Sequence, residues 1–566
     1  EGCVEGAGGV ALSLAWIVFR EKALRFEANL PKIEFGFAFA FVDGLLVDAL
    51  RKGLWVLLDE INLASTETLQ ALAGVLDGEA ALFLEGSSDL TPITRHPDFR
   101  LFAAMNPPTD VGKKELPAGL RGRFTDLYVE ELTDPADLRC VVEGYLRGVN
   151  NPSLVGDIVT VYLGCRAASE SHLTDSAGQR PRYSLRSLTR SLQAALAFLS
   201  LGIKPLSRAL FEAFLLNFQT MLSTSSRAYM YTYLQHSLQP KSSGSQDLNF
   251  PPSRPRAGGA EQWALVRPFW LRAGPRAPVD WADSAGARRF VLTPTVEANV
   301  RNLAAAVACS VSPILIQGPT SVGKTTMVEY LAARVGFKCV RINNHEHTDV
   351  QEYIGSYVTS PLTGQLEFKD GLLVEALRGG HWLILDELNL APSDVLEALN
   401  RLLDDNRELL IPETGEVVRP APGFTLFATQ NPPGIYGGRK PLSRAFKNRF
   451  LELSVTDLPL PEVQEIITLS CGIAPKYAGM LVRTLEELQI HRSKSTLFQG
   501  KYGSVTVRDL IKWGRRGPQS PHEVAREGYF LIAEKLRSAE EKGLVLEILT
   551  KTCKTALDVD ELYAYA

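Results

Sequence analysis

Ile314-Leu315-Ile316-Gln317-Gly318-Pro319-Thr320-Ser321-Val322-Gly323-Lys324-Thr325-Thr326 is a short apolar run that breaks into a glycine-framed loop ending in Lys-Thr. The spacing G-x-x-x-x-G-K-T, from Gly318 to Thr325, builds a cradle for phosphate. Gly318 and Gly323 let the backbone bend so that successive N–H groups converge on one anion. A helix opening near Lys324 adds the positive end of its dipole. Lys324 can then reach the terminal phosphates of ATP, and the Thr325 hydroxyl can ligate Mg2+. Pro319, Thr320, Ser321, Val322 and Thr326 complete the binding loop. The apolar run before it and Met327-Val328-Glu329-Tyr330-Leu331 after it are the strand and helix that such a loop joins, which a glycine-rich turn without function would not require.

Outward from this loop the chain repeats itself. Phe41-Val42-Asp43-Gly44-Leu45-Leu46-Val47-Asp48-Ala49-Leu50 returns as Phe368-Lys369-Asp370-Gly371-Leu372-Leu373-Val374-Glu375-Ala376-Leu377. Asp59-Glu60-Ile61-Asn62-Leu63-Ala64 returns as Asp386-Glu387-Leu388-Asn389-Leu390-Ala391, an offset of 327 (386 − 59). Leu101–Pro108 answers Leu426–Pro433, and Gly122-Arg123-Phe124 answers Asn448-Arg449-Phe450. Ordered matches at nearly constant offset mean two copies of one module in tandem. Nothing before Phe41 resembles Gly318–Thr325, so the first copy is expected to lack its own cradle within this sequence.

Each copy alternates strand and helix, which predicts a mostly parallel sheet between helices. In the second copy the pattern predicts strands over 313–317, 338–343, 382–385 and 425–430, helices over 325–335 and 371–378, and a hairpin over 409–418. A helix-rich stretch follows each α/β block, and the Ser/Pro/Gly-rich tract 240–256 reads as a linker. The fold class is therefore α/β, as tandem P-loop modules, each a parallel-sheet block followed by a helical subdomain. The expected divisions are 1–130 for a front-truncated block, 131–236 for its helical subdomain, 237–285 for a linker, 286–455 for a complete block and 456–566 for its helical subdomain.

The 566 residues are 45% hydrophobic and 22% charged with net charge −4, so no global field recruits nucleic acid or an anionic membrane. The longest apolar stretches, 9–19 and 303–316, are too short to span a bilayer. Seven scattered cysteines without C-x-x-C indicate neither a zinc site nor a disulfide framework and fit a reducing intracellular compartment. An opening on Glu1, without methionine, suggests a piece of a longer chain.

Leu383-Ile384-Leu385-Asp386-Glu387 ends an apolar strand in two carboxylates. Asp386 there can hold Mg2+, directly or through water, and Glu387 can polarise an attacking water; the alternative is a polar strand exit capping the next helix. Asn431, after a strand and before two prolines, can orient that water or be a turn residue. Arg449, before Phe450, can neutralise charge on a transferring phosphoryl group or be a surface arginine. Arg508, in Thr506-Val507-Arg508-Asp509-Leu510, sits at a plausible helix start and can swing onto the nucleotide or form a salt bridge. The first copy holds counterparts at Asp59, Glu60, Asn106, Arg123 and Arg186. His345-Glu346-His347 lacks a third ligand pattern and reads as structural, and Trp263, Trp270 and Trp281 read as packing rather than as a platform for stacked bases.

The cradle, the Asp386-Glu387 pair, Asn431, Arg449 and Arg508 resemble the Walker A, Walker B, sensor 1, arginine finger and sensor 2 of AAA+ ATPases. Ile342-Asn343-Asn344-His345-Glu346-His347-Thr348-Asp349, Leu385–Ala391, Asn400–Leu409 and Gln430–Lys440 are more closely similar to the midasin family, over most of 35–135 and 290–555. That resemblance implies a second, front-truncated module and a third, complete one among six that form a ring on one chain. It implies further that ATP and Mg2+ are bound, and that the ring remodels pre-60S ribosomal particles and their assembly factors in the nucleus (nucleolus and nucleoplasm). The family's metal-ion-dependent adhesion domain, which grips ubiquitin-like domains, is not expected here, since no D-x-S-x-S is present. In a ring, Arg449 would serve the nucleotide of the preceding module. A nucleotide-locked interaction module without hydrolysis, or a MoxR-type AAA+ chaperone of separate subunits, are the alternatives, and tandem modules on one chain speak against the latter.

Overall fold

Strands that are apolar on both sides have to lie between two covering layers, and Ile314–Gln317, Trp382–Asp386 and Thr425–Gln430 are such strands, at the middle of a five-stranded sheet. The computed structural model describes residues 44–76, 93–106, 115–147, 152–238, 262–279, 290–309, 312–359, 366–404, 406–432, 442–494 and 505–559, with a few isolated positions besides. The chain divides into two units, Glu1–Glu130 and Glu131–Ala566. Phe41 to Asp43, Pro107, Pro108 and most of the 240–256 tract lie outside the described residues.

The first unit runs α1 (Leu45–Lys52), β1 (Trp55–Leu58), a 3₁₀ turn (Ile61–Leu63), α2 (Thr66–Leu76), β2 (Arg100–Ala103) and α3 (Ala118–Arg121). The strands pair in parallel with Trp55 opposite Arg100. Val47, Leu50, Val75 and Phe99 belong to one small core of this unit, and Ile61, Leu69, Leu72 and Leu120 form another.

The second unit opens with five helices, α4 (Pro135–Tyr145), α5 (Pro152–Ser171), α6 (Leu185–Ser200), α7 (Leu206–Phe214) and α8 (Thr224–Leu238). Within the tract read as a linker, the apolar segments Trp-Ala-Leu-Val and Phe-Trp-Leu-Arg flank a two-residue turn, and they form the antiparallel hairpin β3 (Trp263–Val266) and β4 (Phe269–Arg272). Phe269 and Leu271 are buried, so this hairpin belongs to the core. The α/β block follows as α9 (Pro294–Cys309), β5 (Ile314–Gln317), α10 (Lys324–Val335), β6 (Cys339–Asn343), α11 (Val350–Ile354), β7 (Gly355–Thr359), β8 (Leu366–Asp370), α12 (Leu372–Gly379), β9 (Trp382–Asp386), α13 (Ser393–Leu403), β10 (Leu409–Ile411), β11 (Glu416–Val418), β12 (Thr425–Gln430), α14 (Arg444–Lys447) and β13 (Leu451–Ser454). The expected hairpin at 409–418 is β10–β11, and the other strands and helices fall within a residue or so of the pattern.

The central sheet is wholly parallel, in the order β13-β5-β12-β9-β6. Successive residues of a strand face opposite sides. Accordingly Ile314, Ile316, Trp382, Ile384 and Phe427 enter one core, while Leu315, Leu383, Leu385, Leu426 and Ala428 enter the other. The helices α4 to α8 contribute to the first of these cores, together with α9 and α10. They also close the outer edge of β13. Ser454 N–H donates to Thr220 O at 2.9 Å, and the Thr220 hydroxyl donates to Glu452 O at 2.7 Å. Arg190 donates to Phe450 O at 3.0 Å. An open edge strand is a template for mispairing, and these bonds occupy it. The helical stretch that follows the first block in sequence is thus packed on the second. Last, α15 (Leu460–Cys471), α16 (Pro475–Lys494), α17 (Val507–Gly514), α18 (Pro521–Ile532) and α19 (Ala539–Cys553) surround a core of their own that includes Leu481, Trp513 and Leu549. Among the described residues no helix is long and apolar enough to cross a membrane.

Candidate nucleotide site

β5 and α10 are joined by the glycine-framed loop, at the end of the sheet where β9 and β12 also terminate. Ser321 (φ +66°) and Gly323 (φ +88°) adopt left-handed backbone, which curls the loop into the anion-receiving shape its sequence predicts. Gly318 is required for packing as well: a Cβ there would lie 2.4 Å from Val455 O. Lys324, 8% exposed, donates to Gly318 O at 2.8 Å, Pro319 O at 2.7 Å and Asn431 Oδ1 at 2.7 Å. Its ammonium therefore sits inside the loop that would hold the phosphates.

Asp386 closes β9 beside this loop. Thr325 Oγ1 lies 3.2 Å and 3.3 Å from its two carboxylate oxygens. Thr429 Oγ1 donates to the same carboxylate, as does Arg341. The Asp386 carbonyl accepts from both the backbone N–H and the side-chain amide of Asn344, at 3.0 and 2.9 Å. The buried Tyr353 hydroxyl donates to Asn344 Oδ1 at 2.5 Å, and burial pushes that phenol well above its ordinary range. A hydroxyl and a carboxylate placed together are hard oxygen donors that suit Mg2+.

The next residue, Glu387, has left-handed backbone (φ +51°), and its N–H donates to Thr429 Oγ1 at 3.1 Å. Glu60 in the first unit has the same conformation (φ +54°). Such backbone is uncommon for a residue with a side chain and is held in both units by the 3₁₀ turn that follows, Leu388–Leu390 or Ile61–Leu63. Asn431, 3% exposed, connects the two halves of the site, since its amide donates to Glu387 Oε1 at 3.3 Å while its oxygen accepts from Lys324. Asn389 donates to Asn431 O at 3.2 Å, and its counterpart Asn62 donates to Asn106 O at 3.1 Å.

Lys324, Thr325, Asp386, Glu387 and Asn431 are thus brought together. Arg449 is not with them. It is 8% exposed and donates to Asp404 at 2.6 Å and Asn400 at 2.8 Å, both from the α13 end of the block. Arg508 is exposed in the first turn of α17, whose Thr506–Asp509 capping box is formed, with Lys535 paired to Asp509. In the first unit Asp59 and Asn106 are exposed, and exposed Arg123 donates to Gly119 O at 2.7 Å; Arg186 is exposed on α6. His345 bonds Thr348, and no group of metal-ligating side chains is found among the described residues. Arg341, Asn344, Tyr353, Asn389 and Thr429 escape a reading based on motif spacing. The repetition of Asn62 as Asn389, and the place of Asn344 in the family-like stretch Ile342–Asp349, are the signals the sequence holds for them.

The model of the AAA domain of the dynein-related subfamily matches residues 28–124 and 313–450, and two models of the midasin AAA lid domain match 137–241 and 462–556. A midasin of Dictyostelium discoideum is 46% identical over 97% of this chain and 9% of its own length. The chain belongs to the midasin family. A midasin of Giardia intestinalis is 39% identical over 91% of the chain and 11% of its own length. An uncharacterized protein of Staphylococcus haemolyticus is 39% identical over 25% of the chain and 54% of its own. The chain spans about a tenth of the length of the curated midasins it matches. Its AAA+ architecture, a parallel sheet with helical lids, is that of the family.

Proposed function

We propose that this chain supplies an ATP-binding and ATP-hydrolysing module to a midasin-like AAA+ ring in the nucleus, one that releases assembly factors from pre-60S ribosomal particles. The observation that carries the reading is the Lys324–Asn431–Glu387 chain of hydrogen bonds beside the Thr325–Asp386 contact. Backbone N–H groups of the loop after Pro319, up to Lys324, bind phosphate, and Lys324 exchanges its loop carbonyls for phosphate oxygens. Thr325 and Asp386 would hold Mg2+, which when bound neutralises charge on the phosphates. Glu387 takes a proton from the water whose oxygen attacks the γ-phosphorus as the bond to the bridging oxygen breaks. Asn431, already bonded to Glu387, orients that water. The remaining modules of the parent ring and the particle's assembly factors are the partners, with Arg449 offered to the nucleotide of the preceding module and Arg508 to the module's own.

The enclosure of Arg449 by Asp404 and Asn400 favours a second reading for the isolated chain, in which ATP is held without turnover. Binding of a fluorescent ATP analogue and single-turnover hydrolysis separate the two. Lys324→Ala abolishes binding, whereas Glu387→Gln keeps binding and stalls turnover. Equal binding by wild type and Lys324→Ala refutes the site.

A further inference from the structure

Asp386 already has a cation. Arg341 stands on the sheet's edge strand β6, opposite Ile384, with Asn343 opposite Asp386. Side chains two positions apart on a strand share a face, so Arg341 and Asp386 are diagonal neighbours, a span that suits a long guanidinium side chain. Arg341 Nη2 donates to Asp386 Oδ2, the same oxygen that accepts from Thr325 at 3.3 Å. The other oxygen accepts from Thr325 at 3.2 Å and from Thr429. The cradle's own cation, Lys324, faces Gly318, Pro319 and Asn431. Arg341 thus brings a counter-charge to this carboxylate from outside the glycine-framed loop.

We propose that Arg341 is a resident counter-cation that Mg2+ must displace from Asp386, and that it thereby sets how much Mg2+ the nucleotide site requires. This rests on the nucleotide-binding reading of the site. The exposures fix which partner moves: the Arg341 side chain is 43% exposed, that of Asp386 only 12%. A half-exposed guanidinium passes into water at little cost, whereas a buried carboxylate has to keep a positive partner. Mg2+ between Thr325 and Asp386 needs the Asp386 oxygens that the guanidinium and the hydroxyls now share. Two cations on one carboxylate also repel. Both effects have the same sign, so removing Arg341 eases entry of the metal.

The test uses the full 566-residue chain, a fluorescent ADP analogue, and Mg2+ titrated from an EDTA-treated baseline, with wild type, Arg341→Gln, Arg341→Lys and Lys324→Ala. Solvent at the half-exposed guanidinium screens this pair to about 1 kcal/mol, so Arg341→Gln should lower the half-saturating Mg2+ concentration about two- to fivefold. Nucleotide affinity in EDTA stays unchanged, because the guanidinium holds the aspartate rather than the phosphates. Arg341→Lys keeps the charge but not the fork, and falls between; it carries the test should Arg341→Gln fail to fold. An identical Mg2+ requirement overturns the proposal. So does a raised requirement, or weaker binding in EDTA, either of which would put the guanidinium on phosphate. Wild type binding no better than Lys324→Ala defeats the nucleotide reading itself, and the proposal with it.

Discussion

Replacing Arg449 by alanine separates a structural tie from a group kept for a neighbouring module. The Arg449 side chain is 9% exposed and donates from Nε to Asp404 at 2.6 Å and from Nη1 to Asn400 at 2.8 Å. Hydrogen bonds to charged groups contribute about 1.5–3 kcal/mol each when buried. Asp404 is 33% exposed, so water restores much of its solvation, and that bond is discounted to about 1 kcal/mol. The Asn400 bond adds about 1 kcal/mol, and the packed aliphatic stem of the arginine about 1 more. The sum, about 3 kcal/mol, shifts the melting of the unit Glu131–Ala566, whose unfolding entropy is about 0.9 kcal/mol/K, by about 3 °C. Arg449→Lys, which restores the charge but only one bond direction, should recover roughly half of that. Thermal unfolding of the chain alone, followed by circular dichroism, measures both variants. A finger whose work lies across a ring interface contributes nothing to the isolated chain. A melting temperature unchanged within about 1 °C for Arg449→Ala therefore refutes the structural account.

Asn389→Ala removes the bond to Asn431 O at 3.2 Å, and with it the support of the residue that links Lys324 to Glu387. Turnover should fall about tenfold, about 1.4 kcal/mol of activation free energy, with nucleotide affinity retained; Asn62→Ala, at the matching bond of the first unit, should leave turnover unchanged. Parallel loss of affinity and turnover would place Asn389 in binding instead. Burial pushes the thiols of Cys165 and Cys339 up to about 12. Both remain protonated at pH 8 and resist iodoacetamide, while exposed Cys140 is alkylated; peptide mass spectrometry checks this, and fast labelling of Cys165 in the native chain would contradict its burial.

What could be read from the sequence and what could not differ in how far the deciding contacts lie apart. The P-loop, the apolar strand ending in Asp386-Glu387 and the β10–β11 hairpin are local patterns, each specified by residues within a dozen positions. Lys324 and Asn431 lie 107 positions apart; the motifs assign both to one nucleotide site, but the hydrogen bond between them is a contact that no local pattern specifies. The partner of Arg449 was not, since Asp404 carries no motif and its carboxylate meets the guanidinium only once α13 has packed. The hairpin at Trp263–Arg272 was concealed by the Pro- and Gly-rich tracts around it. The helices of 135–238 were legible as helices, but periodicity records that a face is apolar and says nothing of what covers it. Their cover is decided by β13: an edge strand needs donors and acceptors, and Thr220, Arg190 and Arg227 present them. The left-handed Glu387 follows the same logic from the other side. Side-chain identity alone gives no reason for φ near +50° at a glutamate, but Glu60 repeats it in a separate unit, with the same 3₁₀ turn and the same asparagine bond after it. A strained conformation that recurs with its supports is being maintained by them, and in both copies the supports include an asparagine that no catalytic motif names.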